Sequence, residues 1–248
     1  MPATPAWPPA SLPRLFVEEI LAQGMTVTLE GGAANYLGNV LRLQPGAQVK
    51  LFDDRTGEWL GEISEAGRKR VSLKVGARLR PREPVPDLWL LFAPIKRGRI
   101  DWLVEKATEL GVARLAPVLT QRTVVDRLNL DRLRAHAIEA AEQCDRTALP
   151  ELAEPVKLER ALREWPEERI LLFADEAGGA PLLRAATPGP AALLIGPEGG
   201  FTPAEREAIR ALAQARPVSL GPRILRADTA AAAAISLWMA AAGDWGSR

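Results

Sequence analysis

One cysteine, Cys144, in 248 residues leaves no internal disulfide to form, which points to a reducing compartment. One histidine, His136, cannot build a metal site by itself. No acidic residue stands at an evident catalytic spacing from it, so no metal and no histidine chemistry is assigned. No apolar run approaches the ~20 residues that span a bilayer, which argues against a membrane partner. Residues 1–13 carry proline and tryptophan but not the basic start and apolar core of a secretory signal, so a cytoplasmic location is expected. Two nucleotide fingerprints are also missing. Without Gly-x-Gly-x-x-Gly after an early strand, a Rossmann site is excluded; without Gly-x-x-x-x-Gly-Lys-Ser/Thr, so is a P-loop.

The composition that is present, 47% apolar and 25% charged, belongs to a globular protein with a substantial core. Formal charge is only +1, yet it is unevenly spread. Between Gly67 and Arg99 ten basic residues, among them Arg68, Lys96 and Arg97, face only Glu83 and Asp87. That imbalance suits a phosphate-bearing partner.

One stretch near the C-terminus organises the rest. Ala191–Ile195 is an apolar run that reads as a buried strand. It breaks into Gly196-Pro-Glu-Gly-Gly200, where glycines permit turns and close approaches that a side chain blocks. A helix then starts: Thr202 as N-cap, Pro203 at the first position and Glu205 three residues on complete a capping box. Ala208, Ile209, Leu212 and Ala213 are its apolar stripe. Strand, glycine loop and helix start make a small-ligand site at the strand's C-terminal edge.

In chain order, short strands are expected at Arg14–Val17, Met25–Leu29, Gln48–Phe52, Trp59–Ile63 and Val71–Val75. A helical segment lies between, with Tyr36, Leu37, Val40 and Leu41 on one face. This describes a compact β-barrel over residues 1–75. Residues 76–87, with three prolines and no period, read as a linker. Residues 88–248 alternate strand and helix, an α/β domain with a mostly parallel sheet. Leu133, Ala137, Ala141 and Cys144 share one helix face, which makes Cys144 a packing residue. Asp101, Glu105 and Glu109 read as a solvated face.

A second motif, Leu220-Gly-Pro-Arg-Ile-Leu-Arg-Ala-Asp-Thr-Ala230, follows the first. Together with Ile195-Gly-Pro-Glu-Gly-Gly-Phe-Thr202 it resembles the trefoil-knotted SPOUT methyltransferases, and more narrowly the 16S ribosomal RNA uridine-N3 methyltransferase family. The resemblance implies a C-terminal knotted methyltransferase domain behind a PUA-like RNA-binding barrel, and S-adenosylmethionine (SAM) as cofactor. It surrounds that cofactor with Phe173, Ile195, Gly196, Pro197, Gly200, Leu220, Gly221, Ile224, Leu225 and Thr229. For the chemistry it points to Arg226 as the group that stabilises an anionic uracil, with Glu198 and Asp228 as polar or basic helpers. Asp228 equally suits a cap for the last helix, where many relatives carry glutamate. Arg14, Lys96, Arg97 and Arg122 are the expected phosphate contacts. The partners implied are ribosomal RNA or the small ribosomal subunit, and a second copy of the chain in a homodimer. Two rivals stay open: a non-catalytic RNA-binding protein of the same fold, and a related enzyme acting on a ribose 2′-oxygen or a guanine.

Overall fold

A computed structural model describes residues 12–67, 69–125 and 127–246. Arg68 and most of the N-terminal stretch read above lie outside the described residues. The chain divides into two compact units.

In the first unit, β1 (Arg14–Phe16), β2 (Thr26–Glu30), β3 (Gln48–Phe52), β4 (Glu58–Ala66) and β5 (Arg70–Arg80) form one sheet in the order β1-β3-β4-β5-β2. Only β1 and β3 run parallel. Alternation supplies the core: Val27 and Leu29, Val49 and Leu51, and Val71, Leu73 and Val75 all point inward. The short helix α1 (Gly31–Asn35) runs on into a π-helical turn, Tyr36–Val40. That turn alters the expected apolar face. With Leu41 N bonded to Tyr36 O, five residues back, side chains three and four apart no longer stack; Leu37 is buried while Tyr36 and Val40 are exposed.

Two boundaries are corrected here. β5 continues to Arg80, so the first part of 76–87 is strand, not linker, and the unit itself ends at Pro84. It also takes in Ala141–Ala148. Arg14 explains how that distant segment is held. Its Nε donates to Glu58, and its terminal nitrogens donate to the carbonyls of Ala141 and Arg146. Arg14 is 7% exposed, so the expected phosphate contact from this residue is overturned: a buried guanidinium with three acceptors offers nothing to a ligand. Arg80 pairs with the same Glu58, and Arg82 with Asp54, which withdraws two more cations from the basic stretch. Burial alone would raise the Glu58 carboxyl, but hydrogen bonds and charges from Arg80 and Arg14 outweigh it and hold the pKa below the ordinary value.

The second unit carries an all-parallel sheet. Its strands are β6 (Leu88–Phe92), β7 (Arg114–Leu119), β8 (Glu151–Leu152), β9 (Val156–Lys157), β10 (Ile170–Ala174), β11 (Ala180–Pro181), β12 (Ala191–Ile195) and β13 (Ala215–Ser219). They are ordered β11-β13-β10-β12-β6-β7-β8, with β9 on β7. The helices are α2 (Arg99–Glu109), α3 (Leu130–Gln143), α4 (Leu158–Arg163), α5 (Leu182–Ala185), α6 (Pro203–Ala211) and α7 (Ala227–Ala241). Every residue of β12 is buried because both faces are covered. On one face Leu90, Phe92 and Leu193 meet α2 and the Trp238 and Met239 side chains of α7. On the other, Leu171, Phe173 and Leu194 meet Phe201 and Ile209.

Departures from the expected pattern have local causes. α3 ends at Gln143, so Cys144 leaves the helical period and is exposed instead of packed. α6 ends at Ala211, with Glu205 and Ile209 as its buried face while Ala208 and Ala213 are exposed.

Candidate functional site

The C-terminal ends of β13, β10 and β12 lie side by side, and the three loops that leave them enclose a cavity of about 440 Å³. That volume falls within the ~300–1,000 Å³ of small-molecule sites. Eight of the ten expected cofactor residues line it: Ile195, Gly196, Pro197, Gly200, Leu220, Gly221, Ile224 and Leu225. Glu198 and Arg226 line it as well.

The glycines are there for physical reasons. Gly200 has φ +66°, and a Cβ on it would lie 3.2 Å from Glu176 Oε1. Its N–H closes a tight turn on Pro197 O at 2.9 Å. Gly221 adopts φ +114°, a conformation that an L side chain rarely takes. Behind the loop, α6 is capped as its sequence requires. Thr202 Oγ1 accepts from Glu205 N, and Glu205 Oε2 accepts from Thr202 N at 2.9 Å. The other oxygen of Glu205 accepts from Gln121 N at 2.7 Å, which ties the β7 exit turn to the glycine loop. Arg122 reinforces that tie, donating from Nη1 to Gly199 O at 2.6 Å. Part of the guanidinium expected to meet RNA is therefore committed to the loop.

Two expected cofactor residues and one expected helper stand elsewhere. Phe173 is fully buried on the α4–α6 side of the sheet, edge to face with Phe201 at 5.2 Å between centroids. Strand alternation sends it away from the cavity, and Phe201 takes the wall instead. Thr229 sits in the first turn of α7, exposed and outside the lining. Asp228 is also outside the lining, and it is not the cap: that position is Arg226, and Asp228 Oδ1 accepts from the next residue's N–H. Arg226 itself makes no side-chain cap bond. Lys96 and Arg97 are exposed on the turn before α2.

Sequence reasoning missed Asp175, Glu176, Arg206 and Arg223, which all contribute to the wall. Asp175 and Glu176 lie outside the glycine motifs and Arg206 on a helix face whose direction is set by packing, while Arg223 stands inside the second motif, where its neighbours Ile224 and Arg226 drew the assignment. His136 also departs from expectation. Its Nδ1 stands 2.9 Å from Glu105 and its Nε2 3.7 Å from Asp101, whose carboxylate also pairs with Arg132 at 2.9 Å. Asp101 and Glu105 thus face α3 as an ion cluster, because i, i+4 spacing puts both on one face of α2.

A glycine-walled pocket at the C-terminal edge of adjacent parallel strands defines an α/β domain built to hold a small ligand. Comparison with known proteins narrows this class. Residues 81–239 match a family described as an RNA methyltransferase domain, and residues 29–76 one described as an RNA methyltransferase PUA domain. The chain belongs to the RNA methyltransferase family. A Synechocystis relative named ribosomal RNA small subunit methyltransferase E is 33% identical, over 85% of this chain and 72% of its own length. A protein of that name from Neisseria gonorrhoeae, solved bound to S-adenosyl methionine, is 29% identical. It superimposes with TM-score 0.86 over 94% of this chain and 99% of its own. A Legionella pneumophila methyltransferase solved with the cofactor SAM is 31% identical, with TM-score 0.84 over 94% and 99%.

Proposed function

We propose that this chain is a SAM-dependent RNA methyltransferase acting on N3 of a uridine in 16S ribosomal RNA. The observation that carries this reading is the pocket: both glycine motifs, residues 195–202 and 220–230, converge on one cavity with eight of the ten expected residues in its wall. The residues fit the cofactor. A Cβ on Gly196 would collide with the Phe201 ring and one on Gly200 would press on the Glu176 carboxylate, so glycine keeps this wall in place, and Leu220, Ile224 and Leu225 supply apolar surface. Ile224, 88% exposed, is a large apolar side chain left uncovered at the pocket, as expected where a ligand or second subunit completes the wall.

When bound, SAM supplies an electrophilic methyl group. The protein's part is to position the acceptor, exclude water and handle the proton of uridine N3. Arg226 lines the pocket at the start of α7, and no hydrogen bond or ion pair holds its guanidinium among the described residues. It is free to stabilise negative charge on the uracil ring. Glu198, on the opposite loop, lines the pocket and is the carboxylate assigned to the N3 proton, since Asp228 lies outside the wall and the Asp175 carboxylate is taken up by Arg206 and Arg210. The knotted path, homodimeric assembly, cytoplasmic location and RNA docking through the PUA unit, Lys96 and Arg97 complete the proposal. No helix among the described residues is long and apolar enough to cross a membrane.

The test has two arms. Calorimetry is expected to give one SAM bound per chain, and mass mapping of 16S RNA from cells with and without the gene is expected to locate one 3-methyluridine. SAM binding without any change in the RNA map favours the non-catalytic rival; a methylated ribose or guanine favours the other.

A further inference from the structure

Pro203, Arg206, Glu207 and Arg210 recur at i, i+3, i+4 and i+7 along α6 and so share one face. With Arg122 and Phe201 they border a second cavity, of about 480 Å³, beside the first. Three guanidiniums meet there, each anchored from one side. Arg210 donates from Nε and Nη2 to Asp175 Oδ2, at 3.1 and 2.5 Å. Arg206 Nε stands 3.4 Å from Asp175 Oδ1, and Arg122 is fixed by Gly199 O. The Asp175 side chain is shut off from solvent, while those of Arg206 and Arg210 stay 29% and 44% exposed. This anchoring leaves both terminal nitrogens of Arg206, Nη1 of Arg210 and Nη2 of Arg122 unpartnered among the described residues.

Charge completes the argument. Three cations against two carboxylates, Asp175 behind and Glu207 at the edge, leave one positive charge in excess. A phosphodiester carries one negative charge, and its oxygens match the guanidinium fork. Arg206 and Phe201 line both cavities. We propose that this second cavity binds a backbone phosphate of the RNA strand, beside the nucleotide presented to the first pocket. The inference rests on the function proposed for that pocket and adds where its substrate is gripped.

The experiment follows anisotropy of a fluorescein-labelled single-stranded RNA on the full chain across a salt series, with SAM calorimetry on the same preparations. Arg210→Gln is expected to weaken RNA binding and to lower the slope of log affinity against log salt by about 0.7, one phosphate contact on a single strand. SAM affinity is expected to stay at the parent value in Glu207→Gln, whose side chain borders only the second cavity. Glu207→Gln, which removes only the opposing charge, is expected to bind RNA more tightly; a purely structural cluster gives no such gain. The proposal is overturned if Arg210→Gln keeps the parent slope or Glu207→Gln binds no tighter. Inorganic phosphate that raises the melting temperature of the parent but not of Arg210→Gln, with equal RNA affinity in both, overturns it in favour of a small-anion site. Should Arg210→Gln fail to fold, Glu207→Gln decides alone. A parent that binds no SAM yet shows these RNA dependences refutes the enzyme reading and leaves the phosphate site standing.

Discussion

Gly196 and Phe201 stand so close that a Cβ on the glycine would lie 2.8 Å from Cε2 of the ring. Phe173 packs edge to face on the same ring, 5.2 Å between centroids, which limits its room to move. Gly196→Ala is therefore expected to displace the pocket wall, at an overpacking cost of about 1–3 kcal/mol. Calorimetry is expected to show SAM binding lost while circular dichroism keeps the parent signature. Unchanged SAM affinity would remove this wall from the site.

Arg226 and Asp228 separate chemistry from structure. Arg226→Ala is expected to slow single-turnover methylation by roughly 100-fold, the scale of losing one oxyanion-type donor. Arg226→Lys is expected to recover little if the planar fork matters. Asp228→Asn is expected to methylate at the parent rate, since its carboxylate lies outside the pocket wall and accepts from the adjacent N–H. A dead Asp228→Asn beside an active Arg226→Ala would reverse these roles.

Glu205 joins three backbone or hydroxyl donors from two segments while 6% exposed. Glu205→Ala leaves the Gln121 and Thr202 N–H groups without their acceptor, a cost of about 1–3 kcal/mol by chemical denaturation. Because the same carboxylate ties the β7 exit turn to the glycine loop, SAM affinity is expected to fall with it. Thr202→Ala removes the cap, about 1 kcal/mol, and the hydroxyl donor to Glu205, but it keeps both N–H donors to that carboxylate and is expected to leave SAM affinity nearer the parent value.

Glu58 makes the first unit sensitive to acid. Its carboxyl titrates below the ordinary value of 4.5 in the folded chain, so the unfolded chain binds the proton first. The stability it confers is complete above the unfolded value and is lost as pH falls from about 4.5 through the depressed folded value. Glu58→Gln is expected to flatten this acid limb in urea titrations taken at successive pH values. Glu58→Ala, which takes from the buried Arg14 its bonded carboxylate and leaves it only the carboxylate of Asp145 at 3.8 Å, is expected to cost about 3–5 kcal/mol at neutral pH. An acid limb unchanged in Glu58→Gln would refute the assignment.

Most of the architecture was legible because its signals are local. Period-two alternation marked β2, β3 and the start of β5, and a continuous apolar run marked β6 and β12. The capping box placed the start of α6 at Pro203. β13 went unread because Ala-Arg-Pro-Val-Ser has no alternation to detect. It is a strand because β10 pairs with it, setting Pro217 beside Phe173.

The sequence by itself determined the pocket's chemistry. Glycines, a capped helix start and an apolar triad act through backbone geometry and short spacings, which survive any tertiary arrangement. Only the tertiary structure decided which side chains reach that pocket and which are used up elsewhere. Phe173 turned to the other face of β10, Arg14 sank into an ion pair with a partner 44 residues away, and Arg206 and Arg210 gathered on Asp175. Each outcome depends on strand order and helix packing, and charge or hydropathy along the chain carries no record of what will lie across from a residue once the sheet has formed.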